Sequence, residues 1–172
     1  HSRSIIHADI KPDNILIKRT AAGFYTGKII DFDSAFFEDS VPEEIQGDQI
    51  YLAPEVRLHM MEEESSITTK IDIFALGILF HQYWSGRLPA MLPDYEYLFE
   101  SVLDGGPVLL DNSIPPLMRR IIGRMLEKDP GLRPGAAQIL RALDAAASGE
   151  VKMPSAIPER RGKGFYRPDD LQ

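Results

Sequence analysis

The stretch Ile6-His7-Ala8-Asp9-Ile10-Lys11-Pro12-Asp13-Asn14 places an Asp, a Lys and an Asn close together, and a further acid follows in Asp31-Phe32-Asp33. Side chains of these types suit one kind of chemistry. A carboxylate (Asp9) can orient or deprotonate a hydroxyl, and an ammonium two residues on (Lys11) can steady a phosphate. An amide oxygen and a second carboxylate (Asn14, Asp31) can hold a hard divalent cation. Transfer of a phosphoryl group asks little more of a protein than to align the hydroxyl, neutralise the phosphates and hold the metal. Taken singly, each Asp or Asn is more simply a turn former, and His7 between Ile6 and Ala8 a satisfied core histidine, so the spacing and order carry the reading.

Short β-branched runs flank the cluster: Ser4-Ile5-Ile6, then Asn14-Ile15-Leu16-Ile17, then Gly27-Lys28-Ile29-Ile30. The last two, joined through a loop with Gly23, predict a hairpin. Ser34 to Gln49 is acidic (Glu38, Asp39, Glu43, Glu44, Asp48) and carries Pro42 and Gly47, which predicts a surface loop rather than a strand.

A short helix is expected after Pro54, running into the polar stretch Glu62 to Ser66. Thr68 and Thr69 can cap a long helix whose Ile71, Phe74, Ala75, Ile78 and Leu79 recur at helical spacing. Leu76, Phe80, Tyr83 and Trp84 cover its other faces, so it is expected to be buried, ending at Gly86 and Pro89. Three more helices follow in expectation. One spans Asp94 to Leu103; one opens at Pro115-Pro116 with Leu117, Ile121, Met125 and Leu126 in register and stops at Pro130; the last starts at Pro134 with a stripe of Ala137, Leu140 and Leu143 and closes at Gly149. From Glu150 onward, prolines with Arg160, Arg161, Lys163 and Arg167 predict a tail with little to bury. The expected fold class is mainly α with a small β-hairpin region, as one domain over 1–148 followed by a basic, Pro-containing tail over 149–172 that is a linker or disordered.

Composition agrees with a globular domain: 172 residues, 44% hydrophobic and 26% charged, are enough for one real core. The absence of cysteine excludes disulfides and thiolate metal sites and permits a reducing compartment, and a cytoplasmic location is expected. No apolar run reaches the roughly eighteen residues of a spanning helix. A net charge of −7 disfavours nucleic acid as a partner and suits neutral or basic ones.

The order of motifs resembles that of the protein kinase family. His7 to Asn14 is similar to the catalytic loop and Asp31-Phe32-Asp33 to the metal-binding loop. Gly47 to Glu55 (GDQIYLAPE) resembles the end of the activation segment, Asp72 to Gly77 the start of the large central helix, and Asp129-Pro130 with Arg133-Pro134 the late Arg-containing turn. Five motifs in order are far more specific than any one. The resemblance implies a eukaryotic-like serine/threonine protein kinase that uses ATP and Mg²⁺ on a protein substrate, Lys two positions after the Asp being the serine/threonine pattern. It implies that Asp9 and Lys11 are catalytic, that Asn14 and Asp31 hold Mg²⁺ and so bind the nucleotide, and that Leu16 floors the adenine. It further implies that His7 and Phe32 stack to tie the metal loop to the core, that Glu55 and Arg133 form an ion pair, and that Asp72 holds the catalytic-loop backbone.

Three departures stand out. Ala8 replaces the Arg that receives an activation-loop phosphate, so activity is expected not to depend on phosphorylation of Ser34 or Ser40. Asp33 replaces a glycine, reducing backbone freedom in the metal loop. Asp48 stands where Thr is common; its carboxylate is expected to pair with Lys11 and to raise the pKa of Asp9. The sequence carries no Gly-rich phosphate loop and no strand Lys with a helix Glu, so the resemblance covers the C-lobe portion of an α+β kinase domain, incomplete, with the N-lobe absent. The isolated segment is then expected to be inactive and marginally stable, with an apolar face of the central helix uncovered. Two other readings remain open: a pseudokinase or scaffold module, and a small-molecule phosphotransferase of similar fold.

Overall fold

The computed structural model describes residues 1–23 and 25–147. There are two small antiparallel sheets among the described residues. Strand β2 (Ile15–Arg19) pairs with β3 (Tyr25–Ile29), Ile15 opposite Ile29 and Arg19 opposite Tyr25, as the expected hairpin. Strand β1 (Ile5–Ile6) pairs with β4 (Phe36–Phe37), Ile5 opposite Phe37. This second pairing corrects the reading of 34–49 as loop throughout. Its signal was Ala35-Phe36-Phe37, a short apolar run inside an acidic stretch, too brief for periodicity to register.

Helix α1 (Pro54–Met60) has Pro at its start, and α2 (Lys70–Ser85) forms the centre of the core. Thr68 Oγ1 accepts from Lys70 N–H, while the Thr69 side chain makes no capping bond; Glu38 accepts from Thr69 N–H instead. At the other end Gly86, at φ 73°, turns the chain left-handed and its N–H returns to Gln82 O. Most of α2 is buried, but Tyr83 and Trp84 at its last turn are about half exposed, so the helix is not covered all round to its end. These two side chains are the exposed apolar surface of α2, and Leu16, Ile17, Tyr25 and Ile29 of the hairpin, with Phe32 and Phe37, are exposed as well.

Helix α3 (Leu98–Leu103) begins four residues later than Asp94, where the Glu100 carboxylate reaches back to the N–H groups of Glu96 and Tyr97. Helix α4 (Pro116–Met125) crosses α2 closely at Gly77, where an added Cβ would sit 3.0 Å from Leu126 Cδ2 and 3.0 Å from Met125 Cβ. On α4 the buried set is Met118, Ile121, Ile122 and Met125, with Leu117 only partly covered. On α5 (Ala136–Ala147) two of the three expected stripe positions, Ala137 and Leu140, are corrected, while Leu143 holds. Ile139 is buried, with Ala142 and Leu143 packed on the core, whereas Leu140 is 59% exposed and Ala137 faces solvent. The expected stop at Gly149 and the basic tail over 149–172 lie outside the described residues.

Candidate active site

Two backbone devices hold the loop that carries Asp9. The first is Asp72, at the start of α2 and 2% exposed, whose carboxylate accepts from His7 N–H at 2.8 Å and Ala8 N–H at 2.9 Å and also meets His1 Nε2 at 2.9 Å. Burial pushes this carboxyl above its ordinary range even against those two N–H donors. The second is Gly47: an added Cβ there would lie 2.7 Å from Ala8 O, so only glycine lets the chain at residue 47 rest on the loop. Ala8 itself is left-handed at φ 65°.

The loop gathers Asp9, Lys11 and Asn14 into one hydrogen-bonded group. Lys11 Nζ lies 2.8 Å from Asp9 Oδ2, Asn14 Nδ2 donates to the same oxygen at 2.9 Å and to Asp9 O at 2.8 Å, and Asp48 N–H donates to Asp9 Oδ1 at 3.1 Å. Burial raises the Asp9 carboxyl, but Lys11, the Asp48 N–H and the Asn14 amide together outweigh it and hold the group below the usual carboxylate range. In return the Asp9 carboxylate raises the Lys11 ammonium. A carboxylate has about four acceptor positions, so these three donors leave one for an incoming hydroxyl. The expectation that Asp48 would raise Asp9 is therefore corrected, because Asp48 meets Asp9 through its peptide N–H. Nor does Asp48 form an ion pair with Lys11, whose partner is Asp9; its charge acts on Lys11 only from a distance.

Asp31 follows β3 and is joined to the loop through its neighbour, Ile30 N–H donating to Asn14 O at 3.0 Å and Ile30 O meeting His7 Nε2 at 3.0 Å. The rings of His7 and Phe32 pack edge to face with centroids 4.9 Å apart, which is the expected stacking. Asp31 is exposed and left-handed at φ 64°, whereas Asp33 is not left-handed, so the strained position of this triplet is the carboxylate and not the replaced glycine. Asn14 commits its Nδ2 to Asp9, which leaves its Oδ1 as an acceptor. Among the described residues no cluster of three His, Cys, Asp or Glu forms a metal cage. Two oxygen donors, Asn14 and Asp31, fit a hard cation that takes its other ligands from phosphate and water. Leu16 lies on β2, 54% exposed and opposite Lys28.

Behind the site, Arg133 is fully buried and spends all five N–H donors. They go to Glu55 Oε1 at 2.6 Å, Glu55 Oε2 at 2.8 Å, Lys70 O at 3.0 Å, Lys128 O at 3.1 Å and Glu127 O at 2.7 Å. Its guanidinium also covers the Phe74 ring at 4.9 Å. This knot joins α1, the start of α2 and the turn over Pro130–Leu132, as the pairing of Glu55 with Arg133 requires. Sequence reasoning missed the roles of Gly47 and of the Asp48 peptide; Gly47 was legible only as a breaker.

Residues 1–143 match the family described as Protein kinase domain. A serine/threonine-protein kinase pkn2 of Myxococcus xanthus is 30% identical over 180 residues, covering 98% of this chain and 21% of that protein. A Wee1-like protein kinase of Oryza sativa subsp. japonica is 34% identical, covering 82% and 25% respectively. A mitogen-activated protein kinase kinase kinase 8 of Rattus norvegicus is 35% identical, covering 82% and 30%. The chain belongs to the protein kinase domain family. It spans between a fifth and a third of the length of these three relatives, which are 21%, 25% and 30% covered.

Proposed function

We propose that the complete polypeptide containing this chain is a serine/threonine protein kinase that transfers the γ-phosphate of ATP to a protein hydroxyl with Mg²⁺, and that residues 1–148 are its catalytic-loop-bearing portion. The observation that carries this reading is the joined group Asp9, Lys11 and Asn14, held at the backbone by Asp72 and followed by Asp31. The kinship to the Myxococcus xanthus serine/threonine-protein kinase supports serine and threonine as acceptors, as does Lys11 two residues after Asp9. In this reading Asp9 uses its remaining acceptor position to orient the hydroxyl. Held low, the carboxylate is ionised at neutral pH and is a weak base, so it aligns the nucleophile and takes its proton late. Lys11 lies against Asp9 and presents its remaining N–H groups to the phosphate in flight. Asn14 and Asp31 would hold Mg²⁺, which when bound neutralises phosphate charge, and Leu16 would contact the adenine. ATP as donor suits a cytoplasmic setting; no described helix is long and apolar enough to cross a membrane.

The groups expected of a Gly-rich phosphate loop are absent from the 172 residues, so this chain alone is expected to be inactive. The test is incorporation of labelled γ-phosphate by the complete natural polypeptide, offered a generic protein and, separately, choline and an aminoglycoside. Phosphoserine and phosphothreonine lost in Asp9→Asn support the reading. Label in the small molecules, or Mg-ATP binding without transfer, overturns it.

A further inference from the structure

Asp48 differs from the other neighbours of Asp9 in reaching it through the main chain. Its N–H donates to Asp9 Oδ1 at 3.1 Å, while its own Oδ1 accepts from Ile50 N–H at 3.0 Å, closing an Asx turn at the start of the 3-10 turn Gln49–Tyr51. The segment is fixed on both sides. Before it, Gly47 rests on Ala8 O with no room for a side chain. After it, Tyr51 N–H returns to Asp48 O at 2.9 Å and the Tyr51 hydroxyl donates to Gln82 Oε1 of α2 at 2.7 Å. The other oxygen of Asp9 is occupied by Lys11 and Asn14. The carboxylate is thus gripped on one side by its own loop and on the other by residues 47–51.

We propose that Asp48 is a positioning residue for Asp9: its carboxylate caps the turn Gln49–Tyr51 and thereby holds its own peptide N–H on Asp9 Oδ1, tying the orientation of that carboxylate to the conformation of residues 47–51. A shift of this segment releases Oδ1 while leaving the Lys11 and Asn14 contacts in place. The significance of the link rests on the role proposed above for Asp9, but the link itself is a feature of the ground-state fold and is testable without ATP.

The experiment is NMR of the isotope-labelled 172-residue chain, reading the scalar coupling across the hydrogen bond from the Asp48 amide nitrogen to the Asp9 carboxyl carbon, with amide exchange alongside. Wild type and Asp48→Asn, which keeps the Oδ1 acceptor, should both show the coupling and a protected Asp48 N–H. In Asp48→Ala the coupling should vanish and exchange at Asp48 and Ile50 should become about tenfold faster, the effect of losing one such bond, with His7 and Ala8 unchanged on Asp72. Coupling that persists in a folded Asp48→Ala overturns the proposal, because the cap is then not what holds the N–H. If the Ala variant unfolds, the remaining pair decides: coupling in both supports the link, and its absence from either overturns it. Loss of phosphate transfer in the complete polypeptide with the coupling intact would count against the functional reading alone.

Discussion

Removing the Asp72 carboxylate is expected to unlatch the catalytic loop at a cost that can be worked from two hydrogen bonds. Asp72→Ala leaves the buried N–H of His7 and the partly buried N–H of Ala8, bonded at 2.8 and 2.9 Å, without an acceptor. Each such orphan costs about 1–3 kcal/mol, so the variant should be about 2–6 kcal/mol less stable, a large part of the roughly 5–15 kcal/mol of a whole domain. With a urea slope of about 2 kcal/mol/M the unfolding midpoint falls by about 1–3 M at constant slope. Asp72→Asn keeps one acceptor oxygen and turns an NH₂ group toward the other N–H, so it should lose about half as much. Burial makes the native carboxylate costly, and the neutral amide avoids that cost, which places the Asn variant at the lower end of its range. Equal midpoints for the Ala and Asn variants would refute the reasoning, because the acceptors would then not be what the loop requires.

Arg133→Lys keeps a charge but cannot serve five fixed acceptors, and stranding Glu55 should cost about 3–5 kcal/mol, read as a drop in urea midpoint. Gly47→Ala places a Cβ 2.7 Å from a backbone oxygen, so the segment must lift; faster amide exchange at Asp48 is the expected sign. His81, 1% exposed, accepts from Asp111 N–H on Nε2 at 2.9 Å, and its Nδ1–H therefore donates to Arg87 O at 2.9 Å. Burial pushes this imidazole below its ordinary value, so the neutral ring contributes stability that is present above about pH 6.5 and is lost as pH falls. The urea midpoint should decline from pH 7.5 to pH 5.5, with that part of the decline absent in His81→Gln.

The parts of the fold that were legible share a physical origin. The hairpin and α2 announce themselves through β-branched runs and through Ile71, Phe74, Ile78 and Leu79 at helical spacing, and Pro54 and Pro116 mark helix starts because a missing N–H does no harm there. The two-residue pairing of β1 with β4 is too short for any period to show. On α5, Leu140 and Ile139 are equally apolar, and which one faces inward is decided by the approach of α4, a tertiary fact that local pattern does not carry. The bonds of Lys11 and Asn14 to Asp9 were not foreseen, Lys11 being expected to pair with Asp48, whereas the contacts of Asp72 with the loop, Glu55 with Arg133 and His7 with Phe32 followed from the family resemblance. The role of Asp48 did not. A side chain suggests chemistry by its type, whereas the Asp48 peptide N–H is common to nearly every residue, and only its placement over Asp9 gives it a task.

The central claim is that Asn14 and Asp31 converge on a divalent cation beside Asp9, and a paramagnetic ion tests it most directly. Mn²⁺ with ATP, added to the labelled chain, should broaden the amide resonances around Asn14 and Asp31 first, and Asp31→Ala should abolish that broadening. Broadening confined to the acidic residues between Glu38 and Glu64, or left unchanged by Asp31→Ala, would contradict the account.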